Sequence, residues 1–234
     1  MEEILIVPDI HGRNFWRPAL DYKGMVIFLG DYTDPYPQEG FTQDDAYQGL
    51  LEIVDFKKQN PDRVILLVGN HELHYYNRSF ASGRFDANYF ERYNAILTGE
   101  ETAGLFQVCK QIDKFLFIHA GLTKGWYDTH FNEFSPLGNT LEEQLNNLFL
   151  SKKEAFDEAC RYRGGFHRAG SPLWADANEF LDEVDHYDNT VRQIIGHTQL
   201  KIDRPYTKAN ICLLDNRQLY LLKNGKAVKY IVSQ

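Results

Sequence analysis

The stretch VILLVGNHELHYY, Val64 to Tyr76, changes character at Gly69. The apolar residues Val64 to Val68 are the length of one strand, and their lack of polar alternation marks a strand covered on both faces. The run then breaks at a glycine and continues as Asn70-His71-Glu72. A buried strand that ends in an amide, an imidazole and a carboxylate is either a polar turn or part of a site. Other runs of the same kind decide between the two.

Ile4–Val7 leads into Pro8-Asp9-Ile10-His11-Gly12, and Met25–Leu29 into Gly30-Asp31-Tyr32-Thr33-Asp34. Phe115–Ile118 leads into His119-Ala120-Gly121, and Val191–Ile195 into Gly196-His197-Thr198. Between Leu29 and Val64 lies TQDDAYQGLLEIVDFKKQN, in which Tyr47, Leu50, Leu51 and Val54 recur at helical spacing. Thr42 caps its start and Asn60-Pro61 closes it. Strand, helix, strand is the rhythm of an α/β layered fold.

In open α/β sheets ligands lie beyond the carboxyl ends of the strands. If the five strands are parallel neighbours, Asp9, His11, Asp31, Asn70, His119 and His197 converge. Carboxylates, imidazoles and an amide without a thiolate suit Mn, Fe, Zn or Co. Six ligands exceed what one catalytic ion uses while keeping a position open for water, and one carboxylate bridging two ions resolves the count. Two metals roughly 3.5–4 Å apart are the arrangement used for in-line attack at phosphorus. Each motif alone is weak. Together they are hard to explain as structure, because carboxylates and imidazoles at the edge of a core are costly unless something offsets them.

The rest of the chain narrows the class. Its 234 residues are 43% hydrophobic and 25% charged, a globular composition that reads as one domain, residues 1–234, with no repeat or linker. A net charge of −8 without a Lys/Arg stripe excludes a general binder of nucleic acid duplexes. The apolar run Ile4–Val7 is too short for a signal peptide or a membrane span, so the protein is expected to be soluble and cytoplasmic. Cys109, Cys160 and Cys212 read as buried small hydrophobes. A helix is expected from about Thr140 to Arg161, with Leu141, Leu145, Leu148 and Phe149 on one face. NICLLD, QLYLLK and AVKYIV, with Asn224-Gly225 as a hairpin turn, predict a C-terminal antiparallel meander.

The ordered set DIHG (Asp9–Gly12), GDYTD (Gly30–Asp34), GNHE (Gly69–Glu72), HAGL (His119–Leu122) and GHT (Gly196–Thr198) resembles the calcineurin-like metallophosphoesterases. With LWAD (Leu173–Asp176), it is most similar to the phosphoprotein serine/threonine phosphatases and their bacterial relatives. The resemblance implies a four-layer α-β-β-α sandwich with mixed sheets and two divalent or trivalent metal ions. Asp9, His11 and Asp31 would hold one ion; Asp31 would bridge to a second, held also by Asn70, His119 and His197. A GHxH ending found in other branches is here Gly196-His197-Thr198-Gln199, which favours the phosphatase-like branch.

The implied reaction is hydrolysis of phosphomonoesters, on phosphoprotein or small phosphoesters, by in-line attack of a metal-bridging hydroxide. His71 would be the general acid and Asp34 would orient its ring. Glu72 reads as a helix-start or supporting residue rather than a ligand. One departure stands out: where the phosphatase branch continues Asp-Arg-Gly and uses the arginine to clamp phosphate, Asp34 is followed by Pro35-Tyr36-Pro37. Proline cannot give the bidentate recognition that a guanidinium gives. Arg163, Arg168, Arg78 and Arg13 are the candidates to replace it. His74 reads as a bystander, and the aromatic segment Tyr75–Asn94 as a cover or substrate wall. Two rival readings are a hydrolase of dinucleoside polyphosphates or nucleotides, and an inactive metal-binding scaffold protein.

Overall fold

The computed structural model describes residues 3–80, 82–180, 187–188 and 190–231. In chain order the strands are β1 (Ile4–Val7), β2 (Met25–Phe28), β3 (Val64–Leu67), β4 (Phe106–Gln107), β5 (Cys109–Ile112) and β6 (Phe115–Ile118), then β7 (Arg192–Ile195), β8 (Tyr206–Lys208), β9 (Ile211–Leu213), β10 (Tyr220–Lys223) and β11 (Lys226–Lys229). The helices are α1 (Gln43–Gln59), α2 (Asn70–Tyr76), α3 (Phe90–Thr98), α4 (Lys124–Phe134) and α5 (Leu141–Ser151). This is a mixed α/β fold with two mixed sheets. The chain divides into two compact units, one of Met1–Gln107 with Asn216–Gln234 and the other of Val108–Asp215. Among the described residues no helix is long and apolar enough to cross a membrane.

The first unit holds a sheet of order β11-β10-β1-β2-β3-β4, parallel from β1 to β4 and antiparallel where β10 joins β1. Nearly all of β1, β2 and β3 is buried, as their uninterrupted apolar runs require. Helix α1 begins where expected. Thr42 accepts from the Asp45 amide, and Asp45 returns the bond to the Thr42 amide at 2.8 Å. Asp44 and Asp45 in its first turn and Lys57 and Lys58 in its last complement the helix dipole. Its buried stripe is Ala46, Leu50, Ile53, Val54 and Phe56. Tyr47 and Leu51, expected on that stripe, are only half-buried at its margin.

The second unit holds a sheet of order β5-β6-β7-β9-β8, with β6, β7 and β9 parallel. The five motif-bearing strands are therefore three neighbours in one sheet and two in the other, rather than one row. The C-terminal runs also separate. β9 pairs with β7 and β8, whereas β10 and β11 form an antiparallel hairpin on the first sheet; residue 232, at the end of the last run, lies outside the described residues. Helix α5 starts at its Thr140 cap but stops at Ser151, ten residues short of Arg161. Lys152 leaves helical geometry, and the Ala155 carbonyl accepts from the Trp126 indole N–H (3.1 Å) instead of from a helical amide. Phe156 packs there against Trp126 and Phe149. Tertiary packing ends this helix, and no local stop signal announces it. The three cysteines are buried thiols, and burial holds all of them above the ordinary thiol pKa.

Candidate active site

In the first unit the polar groups sit where β1, β2 and β3 end. The turns are locked to each other by backbone: the Ile10 and His11 amides both donate to the Asp31 carbonyl, at 3.0 and 2.8 Å. Gly30 and Gly69 make this seam possible. A Cβ on Gly30 would come within 2.5 Å of the Gly69 amide nitrogen, and one on Gly69 within 2.1 Å of Asp31 Oδ1. Across the seam lies the buried carboxylate of Glu72. Its Oε2 accepts from the amides of Asp31 (2.8 Å) and Gly69 (2.9 Å), and its Oε1 from those of Tyr32 and Thr33 and from the Thr33 hydroxyl. A carboxylate so occupied is a fastener between strand ends, and its charge is offset by the amides it binds.

His11 binds the Thr33 carbonyl through Nδ1 (2.8 Å), which fixes the tautomer and turns Nε2 toward Asp31 Oδ2, 3.3 Å away. Burial outweighs the nearby Asp31 carboxylate and keeps this imidazole below its usual pKa. Asp9 is buried at the end of β1, and Asn70 is the buried first residue of α2. Ligand atoms of His11, Asp31 and His71 all lie within 4.8 Å of one another. A neutral imidazole beside carboxylate oxygen is a donor set suited to the borderline and harder divalent ions.

His71 anchors to the same frame. Its amide donates to Asp31 Oδ1 (3.0 Å), and its Nδ1–H donates to Asp34 Oδ2 (2.8 Å). Asp34 is fully buried and heavily used. His74 Nε2 binds Oδ2 at 2.6 Å, the Tyr75 hydroxyl binds Oδ1 at 2.5 Å, and Gln43 reaches Oδ1 at 3.3 Å. Burial alone would raise the Asp34 pKa, but the hydrogen bonds from His71 and His74 bring it down to about 2. For His71, burial pulls the pKa down and the carboxylates of Asp31 and Asp34 pull it up by more, so it lies above the usual value. His74 is thus no bystander: it and Tyr75 grip the carboxylate that holds His71. Tyr75 also packs with Phe85, Phe90 and Tyr93, so the aromatics beyond α2 are core packing.

The second unit brings His119 and His197 together at the ends of β6 and β7, with Nε2 of the first 3.1 Å from Nδ1 of the second. The Gly196 amide donates to the His119 carbonyl (2.8 Å), and Trp174 sits edge-on to His197.

The arginines separate by their partners. Arg13 is buried in an ion pair with Glu39 (2.5 Å) and braces the carbonyls of Asp9 and Ile10. Arg78 is exposed, paired with Glu91 and stacked on Phe90. Arg168 lies exposed in a cleft with Lys124, Glu158 and His167. Arg163 pairs with Asp176 (2.7 Å) and reaches the Thr198 hydroxyl and the His197 carbonyl. A guanidinium absent from the sequence expectation lies at the His11–His71 cluster instead: Arg84. Its Nη2 is 2.9 Å from His71 Nε2 and 3.5 Å from His11 Nε2, and its Nε donates to the Asp34 carbonyl (3.1 Å). Its residue type and its loop carry no periodic signal. Like His11, Asp31 and Asp34 (φ of 47°, 55° and 54°), Arg84 has left-handed backbone (φ 69°), a conformation also adopted in turns at Asp113, Ala209, Arg217 and Asn224.

Two solved structures share this fold. The cold-active protein-tyrosine phosphatase of a psychrophilic Shewanella species matches with a TM-score of 0.61 and 15% identity, over 98% of this chain and 77% of that one. A protein serine/threonine phosphatase from Saccharomyces cerevisiae matches with a TM-score of 0.52 and 14% identity, over 95% and 73%. No curated protein matches the sequence. The family model for calcineurin-like phosphoesterases matches residues 3–201, and the chain belongs to that family of phosphoester hydrolases.

Proposed function

We propose that the chain is a metal-dependent phosphomonoesterase, acting on phosphoproteins or small phosphoesters. The observation that carries this reading is the His11–Asp31–His71 cluster, with His71 held by the buried Asp34 at 2.8 Å. In the proposed centre Asp9, His11 and Asp31 would hold one ion, and Asp31, Asn70, His119 and His197 would hold a second. Bound ions supply Lewis-acid polarisation of the phosphoryl oxygens and make water a nucleophile near neutral pH. The residues do the rest. The Nδ1 bond to Thr33 keeps His11 Nε2 available as a lone-pair donor, and the Nδ1 bond to Asp34 leaves His71 Nε2, 2.9 Å from Arg84 Nη2, as the atom that would protonate the leaving oxygen.

Metal analysis together with turnover of p-nitrophenyl phosphate in Mn²⁺ tests the proposal. Two ions per chain and chelator-sensitive turnover are expected. Two bound ions with no turnover of any phosphoester would overturn it. Initial rates on phosphopeptides and on diadenosine tetraphosphate, measured beside that substrate, identify the preferred ester.

A further inference from the structure

We infer that Arg84 binds the substrate phosphoryl group in this site, and that Tyr36 is the platform that positions it. The inference rests on the phosphomonoesterase reading above. Arg84 differs from Arg13, Arg78 and Arg163 in its electrostatic surroundings, and from the exposed Arg168 in being half-buried. Arg13, Arg78 and Arg163 each meet a carboxylate. Among the described residues Arg84 meets none: its partners are the Asp34 carbonyl and the Nε2 atoms of His71 and His11. The nearby Asp34 carboxylate is turned to His71, His74 and Tyr75. A half-buried guanidinium without a counter-ion, facing a cluster built to hold cations, concentrates positive charge at one point. A doubly charged phosphoryl group is the ligand that answers this field, and a planar fork of N–H donors fits it.

Two contacts keep the arginine there. The Arg84 guanidinium lies over the Tyr36 ring, 3.7 Å from its centroid, a stacked cation–π arrangement. Tyr36 sits two residues beyond Asp34, so the Pro35-Tyr36-Pro37 turn provides a surface for an arginine that arrives from elsewhere. The loop that brings it is moored to the same carboxylate that holds His71. Ser82 Oγ is 3.2 Å from His74 Nδ1, and the Asp86 amide donates to the Tyr75 hydroxyl (3.2 Å). Asp34 therefore ties the proton donor and the phosphate anchor to one point.

The test uses the full chain loaded with Mn²⁺, reading kcat and KM for p-nitrophenyl phosphate, the inhibition constant of inorganic phosphate, metal content and melting temperature. Loss of a charged hydrogen bond predicts that Arg84→Ala and Arg84→Gln weaken phosphate inhibition roughly tenfold to hundredfold, with metal content unchanged. Arg84→Lys recovers only part. Tyr36→Ala weakens phosphate inhibition, and Arg84→Ala/Tyr36→Ala is no weaker than Arg84→Ala. Wild-type phosphate inhibition in folded Arg84→Ala and Arg84→Gln would overturn the assignment while wild-type turnover leaves the phosphomonoesterase reading standing. A Tyr36→Ala effect that persists at full size without Arg84 would overturn the platform role. Wild-type protein that neither turns over substrate nor binds phosphate would overturn both.

Discussion

Asp34 shows how much one buried carboxylate can organise. It accepts from His71, His74 and Tyr75 together, so its loss leaves several buried donors without a partner. In the metal-free protein its folded pKa of about 2 lies below the ordinary 3.8. A depressed carboxyl pKa means stability that is fully present above the unfolded value and lost as pH falls through the folded one. Acid unfolding is therefore expected to steepen between about pH 4 and pH 2, and Asp34→Asn to flatten that limb in a denaturation series. His71→Ala should lower kcat by roughly 10²–10⁴ while metal content stays at the wild-type value. Loss of both ions in that variant would contradict the proton-donor role. The sequence makes His71 legible because it follows a strand-end motif. Arg84 is not legible, because its place depends on a left-handed backbone and on a loop moored by His74 and Tyr75, neither of which leaves a periodic trace.

Helix α1 was readable end to end because its signals are local: a Thr42–Asp45 capping box, acidic first turn, basic last turn and an Asn60-Pro61 stop. Thr42→Ala is expected to cost about 1 kcal/mol in chemical denaturation and to leave turnover unchanged, since the cap touches no site residue. Helix α5 shares the good start but ends through Trp126 and Phe156, which come from distant sequence and from a packing surface. The C-terminal strands show the same limit. Asn224-Gly225 announces the β10–β11 hairpin correctly, but no local pattern tells β9 to join one sheet and β10 the other.

Across the whole chain, the family match over residues 3–201 draws on both units. Chelation is expected to lower the melting temperature and Mn²⁺ to restore it, by about 2.7 kcal/mol when free metal exceeds its dissociation constant a hundredfold. Metal analysis of His197→Ala should find one ion where the wild type holds two. Fold class was open to sequence reasoning, because strand-end motifs are short-range. The division of those strands between sheets was not, since it is set by pairings far apart in the chain. One such pairing has a consequence for how the protein is made. β10 lies against β1, so the sheet to which β1 belongs is completed by a strand made only after the second unit. The whole second unit emerges in between. Until then β1 presents an open, apolar edge, so the nascent chain must be kept from pairing with its neighbours while the second unit is being made.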